Sequence, residues 1–176
     1  MNVRTIKASK VEDRGKSMFD AAVIYARAAQ YLSRAFESDN SMFWPINVIE
    51  ALALEIYCKS LYYIKYGRDF KIDGRYSHDF HELFNQLPPE MRRELESDFQ
   101  SILQKRNMND VAALEAASTK SIPRDLIGIL QEWSTVFVEI RYMYQKPKDG
   151  KVMMFFPEVE QVLRNAIFKL KPELQP

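Results

Sequence analysis

From Met42 to Ile64 the chain is apolar on almost every helical side, yet two charges, Glu55 and Lys59, sit inside that run. A helix apolar all round cannot lie on a surface, so the segment is predicted to be the central helix of a core. A carboxylate and an ammonium one turn apart in such a helix lose their water unless they pair or face a cleft. Their order, Glu ahead of Lys, suits an intrahelical pair four residues apart. The two residues therefore mark either an internal polar tie or the floor of a pocket.

The rest of the composition narrows the class. A chain of 176 residues is long enough for one domain with a real core. With 47% hydrophobic and 28% charged residues it is globular rather than disordered. Five glycines are few, which favours long helices over a turn-rich β architecture. A net charge of +1 supplies no global field toward nucleic acid or anionic lipid, although a local basic patch remains compatible with it. The single cysteine, Cys58, reads as a small buried hydrophobe and fits a reducing compartment. The N-terminal residues lack an apolar signal core, and Glu50, Glu55 and Lys59 make the 42–64 segment a costly membrane span. A cytoplasmic protein without a membrane partner is expected.

The periodicity predicts an all-α fold. Residues 1–15 are polar and expected to form a flexible N-terminal segment, and 16–176 a single helical domain. A first helix over Ser17–Phe36 carries the stripe Met18, Ala22, Tyr25, Ala29, Leu32 and Phe36. Pro45 suits the first turn of the second helix, and Gly67 its C-terminal cap. Ser77 or Asp79 caps a short third helix to Leu87, ended by Pro88 and Pro89. A charged helix over Glu90–Lys105 turns Met91, Leu95, Phe99 and Ile102 inward, and a weaker piece spans Val111–Ala117. Ser121 and Pro123 open a helix to about Tyr142 with the stripe Leu126, Leu130, Trp133, Phe137 and Ile140. Asp149 and Gly150 then signal a small β-hairpin near 142–156. A last helix from Pro157 points Val159, Leu163, Ile167 and Leu170 at the core. The expected architecture is an up-and-down bundle of four to five main helices with short accessory helices.

Histidine is scarce: His78 and His81 are the only two, both within Arg75–Glu82. His78, Asp79, His81 and Glu82 could share a helical face, but further metal ligands would have to be distant carboxylates, so no metal is expected. His78 reads as a helix-start residue bonded to a neighbour or as part of a pocket. Arg141 near a helix C-terminus complements the dipole or clamps a phosphate or carboxylate, with Tyr142 and Tyr144 as stacking faces. Arg92, Arg93, Lys105 and Arg106 read as solvated. No glycine-rich nucleotide loop and no nucleophile elbow occurs, and no cofactor is expected.

The run Pro45–Lys59 followed by Ser77–Leu87 resembles HEPN-like helical proteins of prokaryotes, in which Glu-Leu-x-x-Lys precedes His-Asp-Leu-x-x-Leu-x-x-x-Leu. Phe137–Tyr144 is similar to the Arg-Tyr-x-Tyr closing segment of some members. The resemblance implies a helical bundle, often a homodimer, in toxin–antitoxin or phage-defence systems. Many relatives are metal-independent endoribonucleases with an Arg-x(4–6)-His motif late in the bundle. This chain departs there, because no histidine follows His81; Arg75 and His81 meet the spacing but lie before or within the short third helix. The expectation is a binding module for a nucleotide, RNA or a protein partner, with a pocket of Glu55, Lys59, His78, Arg141 and Tyr142. The alternative is a metal-independent endoribonuclease using Arg75 or Arg141 with His78 or His81. A structural or dimerisation domain without ligand is the second alternative.

Overall fold

The computed structural model describes residues 3–36, 42–118, 121–134 and 157–175. Among them run seven α-helices: α1 (Val3–Phe36), α2 (Phe43–Tyr66), α3 (Phe80–Asn85), α4 (Pro89–Leu103), α5 (Asn109–Ser118), α6 (Leu126–Trp133) and α7 (Pro157–Leu170). A single 3-10 turn, Pro172–Leu174, follows. The fold is an all-α helical bundle. The hairpin expected near 142–156, and the continuation of α6 toward Tyr142, lie outside the described residues.

α2 is the axis of the molecule. It packs most extensively on α1 and also touches α7 and α3, which is why Leu54, Tyr57, Cys58 and Leu61 are all buried. Gly67, in the left-handed conformation at φ 66°, ends it by donating its N–H to the Tyr63 carbonyl. Its approach to α1 is close. A β-carbon on Gly15 would stand 2.8 Å from Ile64 Cγ1, and the buried Ser60 hydroxyl donates to the Gly15 carbonyl at 3.0 Å.

Two expectations for α1 need correction. The helix starts at Val3, well ahead of Ser17; the polar residues there hold no proline and are mostly good helix formers, so the packed part propagates backward. Its buried stripe is Phe19, Ala22, Ala26 and Ala29, whereas Tyr25 is exposed. Phe19 meets the Tyr57 ring of α2 edge-on at 5.9 Å, and the other members of the stripe are small alanines.

The remaining helices close the bundle along the expected stripes. Leu95, Phe99 and Leu103 of α4, Leu126, Leu130 and Trp133 of α6, and Val159, Leu163 and Ile167 of α7 are buried in one core. α6 is capped twice, by Asp125 accepting from the Gly128 N–H and by Glu96 of α4 accepting from the Leu126 N–H. No helix among the described residues is long and apolar enough to cross a membrane.

Candidate functional site

α3 positions the site. Asp79 caps it by accepting from the Glu82 N–H at 2.9 Å, and the Asp79 N–H in turn donates to the Ser77 hydroxyl at 3.1 Å. Phe80, Leu83 and Phe84 anchor the helix in the core. His78, held between these two caps, is thereby set against the side of α2.

There it meets Glu55. The Glu55 carboxylate is buried, and its Oε1 lies 2.5 Å from Lys59 Nζ and 2.8 Å from His78 Nδ1. One oxygen thus holds two nitrogens from two elements. Glu55 Oε2 is buried with no hydrogen-bond partner, a costly state for a carboxylate oxygen unless a donor approaches it. Exposure rises outward through the cluster, from 5% for the Glu55 side chain through 20% for Lys59 to 46% for His78. Because a carboxylate only accepts, Nδ1 is a protonated ring nitrogen of His78 in this contact.

The loop before His78 is basic and braced. Asp73 (φ 48°) and Gly74 (φ 77°) form a tight turn, closed by hydrogen bonds in both directions between Ile72 and Arg75. Lys71 stands 4.7 Å from the Tyr76 ring centre, the Tyr76 hydroxyl donates to Asp69, and Asp69 pairs with Arg14 of α1 at 2.8 Å. Arg68, Lys71, Arg75 and Tyr76 are exposed on this loop. With Asp69 and the exposed Asp73 among three basic residues, the loop 67–77 carries a net charge of only +1.

Of the residues singled out in the sequence, Glu55, Lys59 and His78 come together. His81 does not join them: its ring lies against the Asn85 side-chain amide, whose carbonyl accepts from Arg92 of α4 at 3.3 Å. Arg75 is fixed in the turn just described. Arg141 and Tyr142 lie outside the described residues. No group of three or more His, Cys, Asp or Glu side chains able to hold a metal is found among the described residues.

A second polar cluster, on another face of α2, went unread. Glu50 and Tyr57, two turns apart, look toward α7, where the Tyr57 hydroxyl donates to Glu160 Oε1 at 3.3 Å and Arg164 pairs with the same oxygen at 3.5 Å. Burial, then the charge of Glu160, pushes the Glu50 carboxyl up to about 8, so it is largely protonated at neutral pH. Burial raises Glu160 as well, against the opposing pull of Arg164 and Tyr57. Glu50 and Tyr57 seven positions apart, with Glu160 between Val159 and Val162, were the available signal. Arg92 and Arg106 were also misplaced as solvated: Arg92 buries its Nε, and Arg106 is 15% exposed, holding Glu158 at 2.9 Å and Asp110 at 2.5 Å. Cys58 is an inert core thiol, pushed up to about 12 by burial and then by the charge of Glu55.

An open groove of about 560 Å³ runs between α4 and α7, lined by Asp98, Ile102, Asn165, Phe168 and Lys169. Lys169 is already held by Glu94 at 2.5 Å and Asp98 at 2.8 Å. The groove shares no lining residue with the Glu55 cluster.

Compared with known proteins, the chain matches no family model, no curated protein and no solved structure.

Proposed function

We propose that this protein is a divergent HEPN-like binding module that takes a phosphate-bearing ligand, a nucleotide or the end of an RNA, at the corner between α2 and α3. The observation carrying this reading is the shared Glu55 oxygen, which fixes Lys59 and His78 from two elements beside an exposed basic loop. Lys59 and Arg75 are donors suited to phosphate oxygens. Tyr76, 61% exposed, offers a ring to a base. The family likeness also implies a homodimer and a toxin–antitoxin or phage-defence setting, and the composition a place in the cytoplasm.

Polarisation of a fluorescently labelled short single-stranded RNA, with ATP as competitor, tests the reading. Arg75→Ala sits on the exposed rim, and His78→Ala removes one of two partners of the buried Glu55 oxygen, so circular dichroism checks that each variant is folded. Each is expected to weaken binding by about tenfold, the effect of losing 1.4 kcal/mol. Absence of binding by the native protein at low salt, or full binding by both variants, refutes the site.

The Glu55–His78 contact also favours a second reading, RNA cleavage without metal. A carboxylate that orients Nδ1 is the arrangement in which a histidine can act as general base toward a 2′-hydroxyl. Incubating RNA in EDTA with the native protein and a His78→Ala/His81→Ala variant distinguishes the two. Cleavage lost in the variant supports catalysis; equal cleavage by both, or none by either, discards it.

A further inference from the structure

The chain between α2 and α3 is anchored in the core by Phe70 and Phe80, and between these anchors it is exposed at Lys71, Asp73, Gly74, Arg75 and Tyr76. A turn with so little apolar burial depends on the few polar contacts that tie it down. One of these contacts reaches a different helix. Asp69 Oδ1 pairs with Arg14 Nη2 of α1 at 2.8 Å, and Asp69 Oδ2 accepts from the Tyr76 hydroxyl at 3.4 Å. The Asp69 side chain is only 19% exposed, so one partly desolvated carboxylate joins α1 to the far side of the turn.

Arg14 is firmly mounted for this contact. Its neighbour Gly15 lies where α1 and α2 come close, with its carbonyl held by the buried Ser60 hydroxyl. The Arg14 guanidinium stands 5.4 Å from the ring centre of the buried Tyr63 of α2, which sets its direction before it reaches Asp69. On the other side, the hydrogen bonds between Ile72 and Arg75 close the turn on itself. The Tyr76–Asp69 hydrogen bond draws a second ring around that turn, and Arg14 fixes this ring to α1. An isolated ion pair with a half-exposed arginine contributes little to global stability and is screened by salt. What it governs is local: whether the loop is open or closed.

We infer that Arg14 and Asp69 form a latch that pins the 67–77 loop to α1 and so positions Arg75 and Tyr76 beside His78. Both are positioning residues, since neither belongs to the cluster around Glu55. The effect on a ligand rests on the site proposed above, whereas the latch itself does not, so the two can fail separately.

Amide hydrogen exchange of the full chain, followed by NMR, tests the latch, because the Ile72 and Arg75 N–H groups donate across the turn. Arg14→Ala and Asp69→Ala are each expected to speed exchange at these two amides at least about threefold, while Leu95 and Phe99 of α4 keep their rates. Arg14→Lys, which retains the charge, should restore part of the protection. The double variant should exchange no faster than Asp69→Ala alone, since both changes remove one contact. Added salt should speed the two amides in the native protein and not in Arg14→Ala. Unchanged exchange in Arg14→Ala overturns the latch, and so does equal acceleration at Leu95 and Phe99, which would place the effect in the whole fold. Labelled RNA then separates the two claims. If the native protein binds it, Arg14→Ala should weaken binding at least about threefold, because only the closed fraction is competent. Accelerated exchange with unchanged affinity overturns the positioning role. If the native protein binds no RNA, the ligand site fails, and the exchange rates alone uphold or overturn the latch.

Discussion

Lys59 reaches Glu55 across one helical turn, and what it neutralises there is a carboxylate with almost no water of its own. Lys59→Ala leaves that charge buried with only the half-exposed His78 against it. A loss of about 3 kcal/mol in unfolding free energy is expected, the low end for breaking a buried pair because Lys59 keeps some solvent. Replacing both members, Glu55→Leu with Lys59→Met, removes the desolvated charges together and should recover most of that loss. Urea unfolding of the two variants checks this; a Lys59→Ala protein as stable as the native one would show that the pair is not truly desolvated. That Glu55 and Lys59 form a pair was legible from their spacing and surroundings. That one Glu55 oxygen also holds His78, from the far side of a loop, was not, since no periodicity links residues on different elements.

At the level of elements, α1 and α2 are held close by what is missing from their interface. Gly15, Ala22, Ala26 and Ala29 present little side chain, and Ile64 fills the space a β-carbon on Gly15 would need. Gly15→Val should therefore destabilise by about 1–3 kcal/mol despite removing a helical glycine, because overpacking forces the two backbones apart. The midpoint of chemical denaturation reads this out, and an unchanged midpoint would mean that Ile64 simply moves aside. The helices were legible wherever apolar residues recur at helical spacing, as in α2, α4 and α7. The face of α1 was legible in part: Ala22 and Ala29 of its stripe are buried, but Tyr25 is exposed, and Phe19 and Ala26 take its place against the core. Its early start escaped notice because polar residues with high helix propensity carry no stripe to announce a helix.

For the molecule as a whole, the α2–α7 contact makes stability depend on pH. Glu50 has its carboxyl raised from 4.5 to about 8 in the folded protein, and Glu160 is raised too. A raised acid binds more protons folded than unfolded, so stability from this cluster is full below about pH 4.5 and declines as pH climbs through 8. The expected decline is on the order of a few kcal/mol. Glu50→Gln, which mimics the protonated form, should flatten the profile and leave the protein more stable than native near pH 8. Denaturation midpoints at several pH values decide the matter; a native profile that rises across this range would contradict the assignment of Glu50 as the buried proton carrier.

Local sequence dictated an all-α protein with a charged pair inside its most apolar helix, since helical periodicity, caps and spacing are properties of neighbours along the chain. The tertiary structure alone decided which faces of α2 meet α1, α3 and α7, and so which distant groups share a carboxylate. Those choices depend on how near two backbones can come and on which buried polar atoms find partners, and neither is written into any single segment.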